Sequence, residues 1–139
     1  MSKAELKFIG VVESVGELSK IRIFQEFCEG LQNLNEFSHI IVFYWFHLRS
    51  SEQDRKVLKV VPKRHLEAPQ VGVFASRSPN RPNPIGFSIV ELIKIDGCIL
   101  IVKGLDAFEG SPIIDIKPYL PEEFISNAKA PKWAMHKPA

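Results

Sequence analysis

The sequence predicts a mainly all-β protein, a single small β-barrel with short helical turns, occupying residues 1–139 as one domain. Three observations carry that prediction. Apolar side chains alternate with period two in several short runs, no stretch of ten residues keeps a helical period, and an Asp-Gly pair joins two of the β-rich runs. About seven short strands in one domain imply a closed or nearly closed barrel.

In the opening strand, residues 7–14, Phe8, Gly10 and Val12 alternate with Ile9 and Val11. A second short strand follows over 20–24. Leu31, Leu34 and Phe37 stand at threefold spacing, which predicts a short helical turn ending before Ser38. HIIVFYWFHL, residues 39–48, is the strongest strand. One of its faces carries His39, Ile41, Phe43, Trp45 and His47, the other Ile40, Val42, Tyr44, Phe46 and Leu48. Both faces are apolar, so this strand is central or one side meets a partner subunit. Residues 49–70 form a polar connection interrupted by VLKVVP, a short strand, and GVFA (72–75) forms another. IGFSIVELIKI (85–95), the turn Asp96–Gly97 and CILIVKGL (98–105) read as a hairpin. FEGSP turns the chain into PIIDIKPY, and the prolines at 118, 121, 131 and 138 predict an irregular tail.

Composition sets the class. Hydrophobic residues make up 45% and charged residues 24%, an ordinary globular balance. Cys28 and Cys98 form no CxxC pair, so they are expected to be reduced thiols of an intracellular protein. The start, MSKAELKF, has no apolar run, and the apolar stretch 40–46 is too short to span a bilayer, so a cytoplasmic protein is expected. The net charge is only +2, but its distribution is uneven. Residues 49–65 hold Arg49, Arg55, Lys56, Lys59, Lys63 and Arg64 against Glu52 and Asp54. Such an excess attracts phosphates, or else is an ordinary solvated loop.

Two stretches carry candidate chemistry. In ASRSPNRPNPIG (75–86), Pro79, Pro82 and Pro84 fix their own φ, and Ser78, Arg81 and Asn83 are driven toward extended backbone. The loop is therefore stiff and holds Arg77 and Arg81 with little entropy left to lose. A guanidinium grips a carboxylate or phosphate bidentately. In KGLDAFEGSPIIDIKPY (103–119), Asp106 stands at a strand end, where sites tend to lie, whereas Asp115 lies inside an apolar strand and needs a partner such as Lys117 or an arginine. His39 and His47 are roughly 26 Å apart along an extended strand, so they cannot share a metal. There is no HExxH, no GxxxxGK[ST] and no GxGxxG after a strand; metal, P-loop and Rossmann readings have no support.

GVFASRSPNRPNPIGFS, with FSHIIVFYWFH before it and GSPIIDIKPYLP after it, resembles the TsaA-like or TrmO family. The family pattern runs GVFATRSPxRPNPIGLS and then DGTPVLDIKPYxP after an FSHI…FH strand. The matching motifs span residues 37–121 in the same order. The resemblance implies a β-barrel methyltransferase that takes its methyl group from S-adenosylmethionine. It implies as substrate the N6 position of a threonylcarbamoyl-modified adenosine beside the tRNA anticodon, and a homodimer as assembly. Alternatives are a non-catalytic S-adenosylmethionine sensor and a small-molecule methyltransferase. Carried over by motif, the cofactor contacts fall on His47, Leu48, Arg77, Phe87, Lys103, Gly104, Leu105 and Asp106. Arg81, Arg55, Lys59 and Arg64 are the expected tRNA phosphate contacts, with Arg81 reaching outward from mid-loop. The resemblance assigns no general base, metal or membrane contact. The chain departs from the pattern in lacking a Pro-Arg-Gln segment after the first strand. It also has Glu109 for Asp, Phe87 where Leu or Met is usual, and RHLEAPQ before GVFA.

Overall fold

The computed structural model describes residues 2–62 and 67–135. Its strands are β1 (Gly10–Ser14), β2 (Ser19–Ile23), β3 (His39–Trp45), β4 (Lys59–Val60), β5 (Val71–Gly72), β6 (Ile85–Asp96), β7 (Ile99–Lys103) and β8 (Pro112–Pro118). One short helix, α1 (Glu52–Lys56), lies between β3 and β4. Six of the strands close into a barrel in the order β1-β2-β7-β6-β3-β8, every pair antiparallel. The expected barrel is present.

Two compact units divide the chain. The first contains the residues up to Phe46 together with Ile85–Glu123, and therefore the whole barrel. The second contains His47–Pro84 and the segment from Phe124 onward, with α1 and the two-stranded β4-β5 ribbon.

Alternation explains the barrel. Along β6, Gly86, Ser88 and Val90 are buried while Ile85, Phe87, Ile89 and Glu91 are exposed. On β3, Ile40, Val42 and Tyr44 point inward, and they join Val12, Ile21, Ile23, Val90, Leu100, Val102 and Ile113 in one core. Each such aliphatic side chain contributes roughly 1.5–3 kcal/mol when fully buried. The β3 strand is central as expected, paired with β6 on one side and β8 on the other.

Several local expectations are corrected. β3 stops at Trp45, and His47–Arg49 is a 3-10 turn rather than the end of the strand. The predicted helical turn is two 3-10 segments, Gln25–Leu31 and Leu34–Glu36, separated at Asn33, whose φ is +68°. GVFA is not a strand: β5 ends at Gly72 and Val73–Ala75 is a 3-10 turn, burying Val73 and leaving Phe74 79% exposed. The turn of the β6–β7 hairpin is Gly97–Cys98, because Asp96 still pairs with Ile99. Gly97 holds φ +62°, the left-handed conformation that glycine tolerates best.

The reading of the cysteines as separate reduced thiols is overturned. Cys28 and Cys98 form a disulfide with their Cα atoms 5.5 Å apart, which pins the first 3-10 segment to the hairpin turn. Cross-linked residues 70 apart in sequence meet only once the barrel closes, so no local spacing announces the pair.

Candidate functional site

In the first unit, the barrel holds the segment that follows β7. Gly104 leaves the strand with φ +96°, and beyond it Leu105 and Ala107 pack on the core while Asp106 is exposed. The backbone of Asp106 is fixed at both ends. Its N–H donates to Ser88 Oγ at 3.1 Å, and its carbonyl accepts from the Tyr44 phenol. Burial pushes the Tyr44 phenol above its ordinary pKa, Ser88 opposes the rise by hydrogen bonding, and the charge of Asp106 adds to it. Lys103 is exposed at the end of β7, and Phe87 is exposed on the outward face of β6 with its ring 6.3 Å from that of Phe43. The unit thus brings Lys103, Gly104, Leu105 and Asp106 together, anchored to the neighbour of Phe87.

Asp115 follows the structural alternative. It is exposed, and its Oδ2 lies 3.6 Å from Lys117 Nζ.

In the second unit, the proline-rich loop is built as a rigid block. Ser76 Oγ donates to Val73 O at 2.9 Å and accepts from Ser78 N, and Ser78 Oγ accepts from Asn80 N. Arg81 Nη1 donates to the carbonyls of Ser76 and Ser78, both at 3.0 Å. The expectation that Arg81 reaches outward to substrate is corrected. It braces its own loop, because three prolines leave carbonyls there with few amide donors. Arg55, at the end of α1, behaves similarly: Nε donates to Pro82 O at 2.7 Å and Nη2 to Asn83 Oδ1 at 3.4 Å. The helix itself is set by Ser51, whose Oγ accepts from Asp54 N and donates to Asp54 Oδ2.

The remaining described candidates in this unit are exposed or half-buried. Arg77 is exposed beside the braced loop, Lys59 is exposed on β4, Leu48 is 64% exposed and His47 is half-buried. Arg64 lies outside the described residues. No strand aims Arg77, since GVFA is a turn, and the brace from Arg81 takes the place of a sheet. Asn80 Oδ1 is buried with no partner among the described residues.

Sequence reasoning missed Tyr44, Ser88 and Gly86. The signal for Ser88 was present: it is a hydroxyl in the inward row Gly86, Ser88, Val90 of an otherwise apolar strand.

A small closed antiparallel barrel with an acidic strand-exit segment, together with an Arg-Pro loop in the second unit, defines the class. The family model described as the tRNA-methyltransferase O N-terminal domain matches residues 12–123, and the chain belongs to that family. A probable S-adenosyl-L-methionine-binding protein of Methanocaldococcus jannaschii is 49% identical over 81% of this chain and 89% of its own length. The human tRNA (adenine(37)-N6)-methyltransferase is 40% identical over 73% of this chain, which spans 22% of that protein. A crystal structure of TrmO superimposes with TM-score 0.73 at 27% identity, covering 93% of this chain and 64% of that one. Among relatives from Archaeoglobus fulgidus, one is spanned by this chain over only 38% of its length.

Proposed function

We propose that this protein is an S-adenosylmethionine-dependent methyltransferase acting on the N6 position of a tRNA adenosine next to the anticodon. The observation that supports this most is the 40% identity, over 101 residues, to the human enzyme of that name. The archaeal relatives named for S-adenosylmethionine binding support the cofactor.

The residues fit such a cofactor in chemical kind. Exposed Asp106 offers a carboxylate to an amine or sulfonium charge, and exposed Arg77 offers a guanidinium to a carboxylate. Phe87 and Leu48 offer exposed apolar surface to an adenine face. The proposed contacts are therefore Phe87 and Lys103–Asp106 in the barrel unit, and His47, Leu48 and Arg77 in the other. When bound, the cofactor supplies an electrophilic methyl group. The chain's own task is to hold donor and acceptor in line, where orientation supplies most of the catalysis. Asp106, exposed on a fixed backbone, is the proposed acceptor of the proton leaving the substrate nitrogen. Lys59 and Arg64 are the proposed phosphate contacts, and Arg55 and Arg81 shape the loop. A cytoplasmic place of action goes with that substrate, and among the described residues no helix is long and apolar enough to cross a membrane.

The outward ladder of β3 and β6 supports a homodimer as the working assembly. It pairs Ile41 with Ile89, Phe43 with Phe87 and Trp45 with Ile85, and the ring of Phe8 lies 6.1 Å from Trp45. An apolar face of this kind marks an interaction surface. Light scattering should give twice the chain mass; a monomer at all concentrations would exclude the dimer.

The deciding experiment is mass spectrometry of tRNA nucleosides after incubation with labelled cofactor. A methylated adenosine carrying the label is expected. Cofactor binding without turnover on any tRNA would leave a sensor and refute the enzyme.

A further inference from the structure

The buried inner row of β6 contains one hydroxyl, Ser88, 7% exposed. Tyr44, 4% exposed, stands across from it on β3, where Val42 pairs with Ser88 and Tyr44 with Gly86. Two hydrogen bonds join these hydroxyls to Asp106. The Asp106 N–H donates to Ser88 Oγ, and the Tyr44 phenol donates to the Asp106 carbonyl. The two hydroxyls therefore grip both backbone polar groups of one residue, Ser88 as acceptor and Tyr44 as donor. Gly86 is part of the construction. A Cβ there would lie 2.8 Å from Tyr44 Cε2, so glycine makes room for the ring of Tyr44.

We propose that Tyr44 and Ser88 are positioning residues that hold Asp106 by both of its backbone polar groups, so that its carboxylate is presented in one direction. The proposal rests on the reading of residues 103–106 as cofactor contacts. Leu105 and Ala107, packed on the core, seat the segment against the barrel, and the two hydroxyls hold the peptide groups of Asp106. Neither hydroxyl needs to touch cofactor or substrate. Their effect reaches the chemistry through the direction of the carboxylate.

The test compares wild type with Tyr44→Phe, Ser88→Ala, the double variant and Asp106→Asn. In cofactor-free protein, amide hydrogen exchange at Asp106 should accelerate about tenfold in Ser88→Ala, the equivalent of losing one hydrogen bond's worth of protection. Unchanged exchange in that variant would overturn the hold on the Asp106 N–H whatever the ligand. By calorimetry, the dissociation constant for S-adenosylmethionine should rise about tenfold in each single variant, with tRNA affinity unmoved. The double variant should bind the cofactor at least as weakly as either single one, since both bonds hold the same residue. Wild-type cofactor affinity in the folded variants would overturn the positioning role. Should Tyr44→Phe not fold, Ser88→Ala carries the same two readouts. Equal cofactor binding by wild type and Asp106→Asn would instead refute the contact reading, and the positioning role with it, while exchange still decides whether Ser88 holds the Asp106 N–H.

Discussion

Gly86 lies against Phe46 so closely that a Cβ built on it would sit 2.5 Å from Phe46 Cζ. The rings of Phe46 and Tyr44 meet edge to face at 5.6 Å, so both are held in place and neither can swing aside alone. Gly86→Ala should therefore destabilise the fold by about 1–3 kcal/mol through overpacking. Gly30→Ala is the control, because nothing lies within 4 Å of its Cβ position. Urea titration of both variants reads the difference, and equal midpoints would show that the rings can relax.

The Cys28–Cys98 bond closes a loop of 70 residues in sequence separation. Chain-entropy arithmetic gives a loop of that size about 4 kcal/mol of stabilisation. Added reductant, or Cys98→Ser, should lower the melting temperature by many degrees. Two thiols titrating in the native protein before any reductant is added would show that the bond does not form.

Strands were legible where side chains alternate between two environments. IGFSIVELIKI needs one buried and one exposed face, and β6 delivers both. GVFA misled because apolar character alone does not report alternation; Phe74 is exposed for reasons that no neighbour in sequence supplies. The five polar residues of α1 have no apolar stripe, although Ser51 three residues before Asp54 was a helix-start signal in plain view. The candidate site was legible in its residue types and not in its directions. Arg81 turns back on Ser76 and Ser78 because of carbonyls that only the folded loop exposes to it. Asp106 owes its fixed backbone to Ser88 and Tyr44, respectively 18 and 62 residues away in sequence.

The brace changes what arginine substitutions should do. Arg81→Lys loses the paired bonds to Ser76 and Ser78, so the protein should lose about 1–3 kcal/mol of stability. Arg77→Lys keeps the charge but loses the planar fork, so it should raise the dissociation constant for S-adenosylmethionine and leave the melting temperature within experimental error. Thermal melts and calorimetry on both variants separate the roles. Identical profiles would mean that the two arginines share one role.

Alkaline pH tests the buried phenol. The pKa of Tyr44 is raised in the folded state, chiefly by burial. The unfolded chain releases that proton first as pH climbs, so the folded state then binds more protons and stability falls with rising pH. The contribution is fully present below the ordinary phenol value of about 10 and is lost as pH rises through the folded value. Tyr44→Phe should flatten the decline above about pH 10 relative to wild type and leave the slope near neutrality alone. Parallel urea midpoints across the alkaline range would rule out a contribution from Tyr44.

The basic segment now divides into two kinds of residue. Arg55 is engaged with Pro82 and Asn83, so replacing it disturbs the proline loop as well as the local charge. Lys56 lies 3.7 Å from Glu52, both well exposed, an arrangement worth little in water. Lys59 is exposed on β4, and its substitution changes charge with little structural consequence. If the segment meets tRNA phosphates, Lys59→Glu should weaken tRNA binding and flatten the log–log salt dependence by about 0.7–0.9 for each phosphate it no longer neutralises. Stability and cofactor affinity should stay at wild-type values. Arg55→Glu should also weaken tRNA binding, but with a lower melting temperature, because the loop loses its tether. Filter binding across a salt series, run beside thermal melts, tells the two effects apart. An unchanged salt slope for Lys59→Glu would make this segment a solvated surface and move the search for the RNA-binding face elsewhere on the chain.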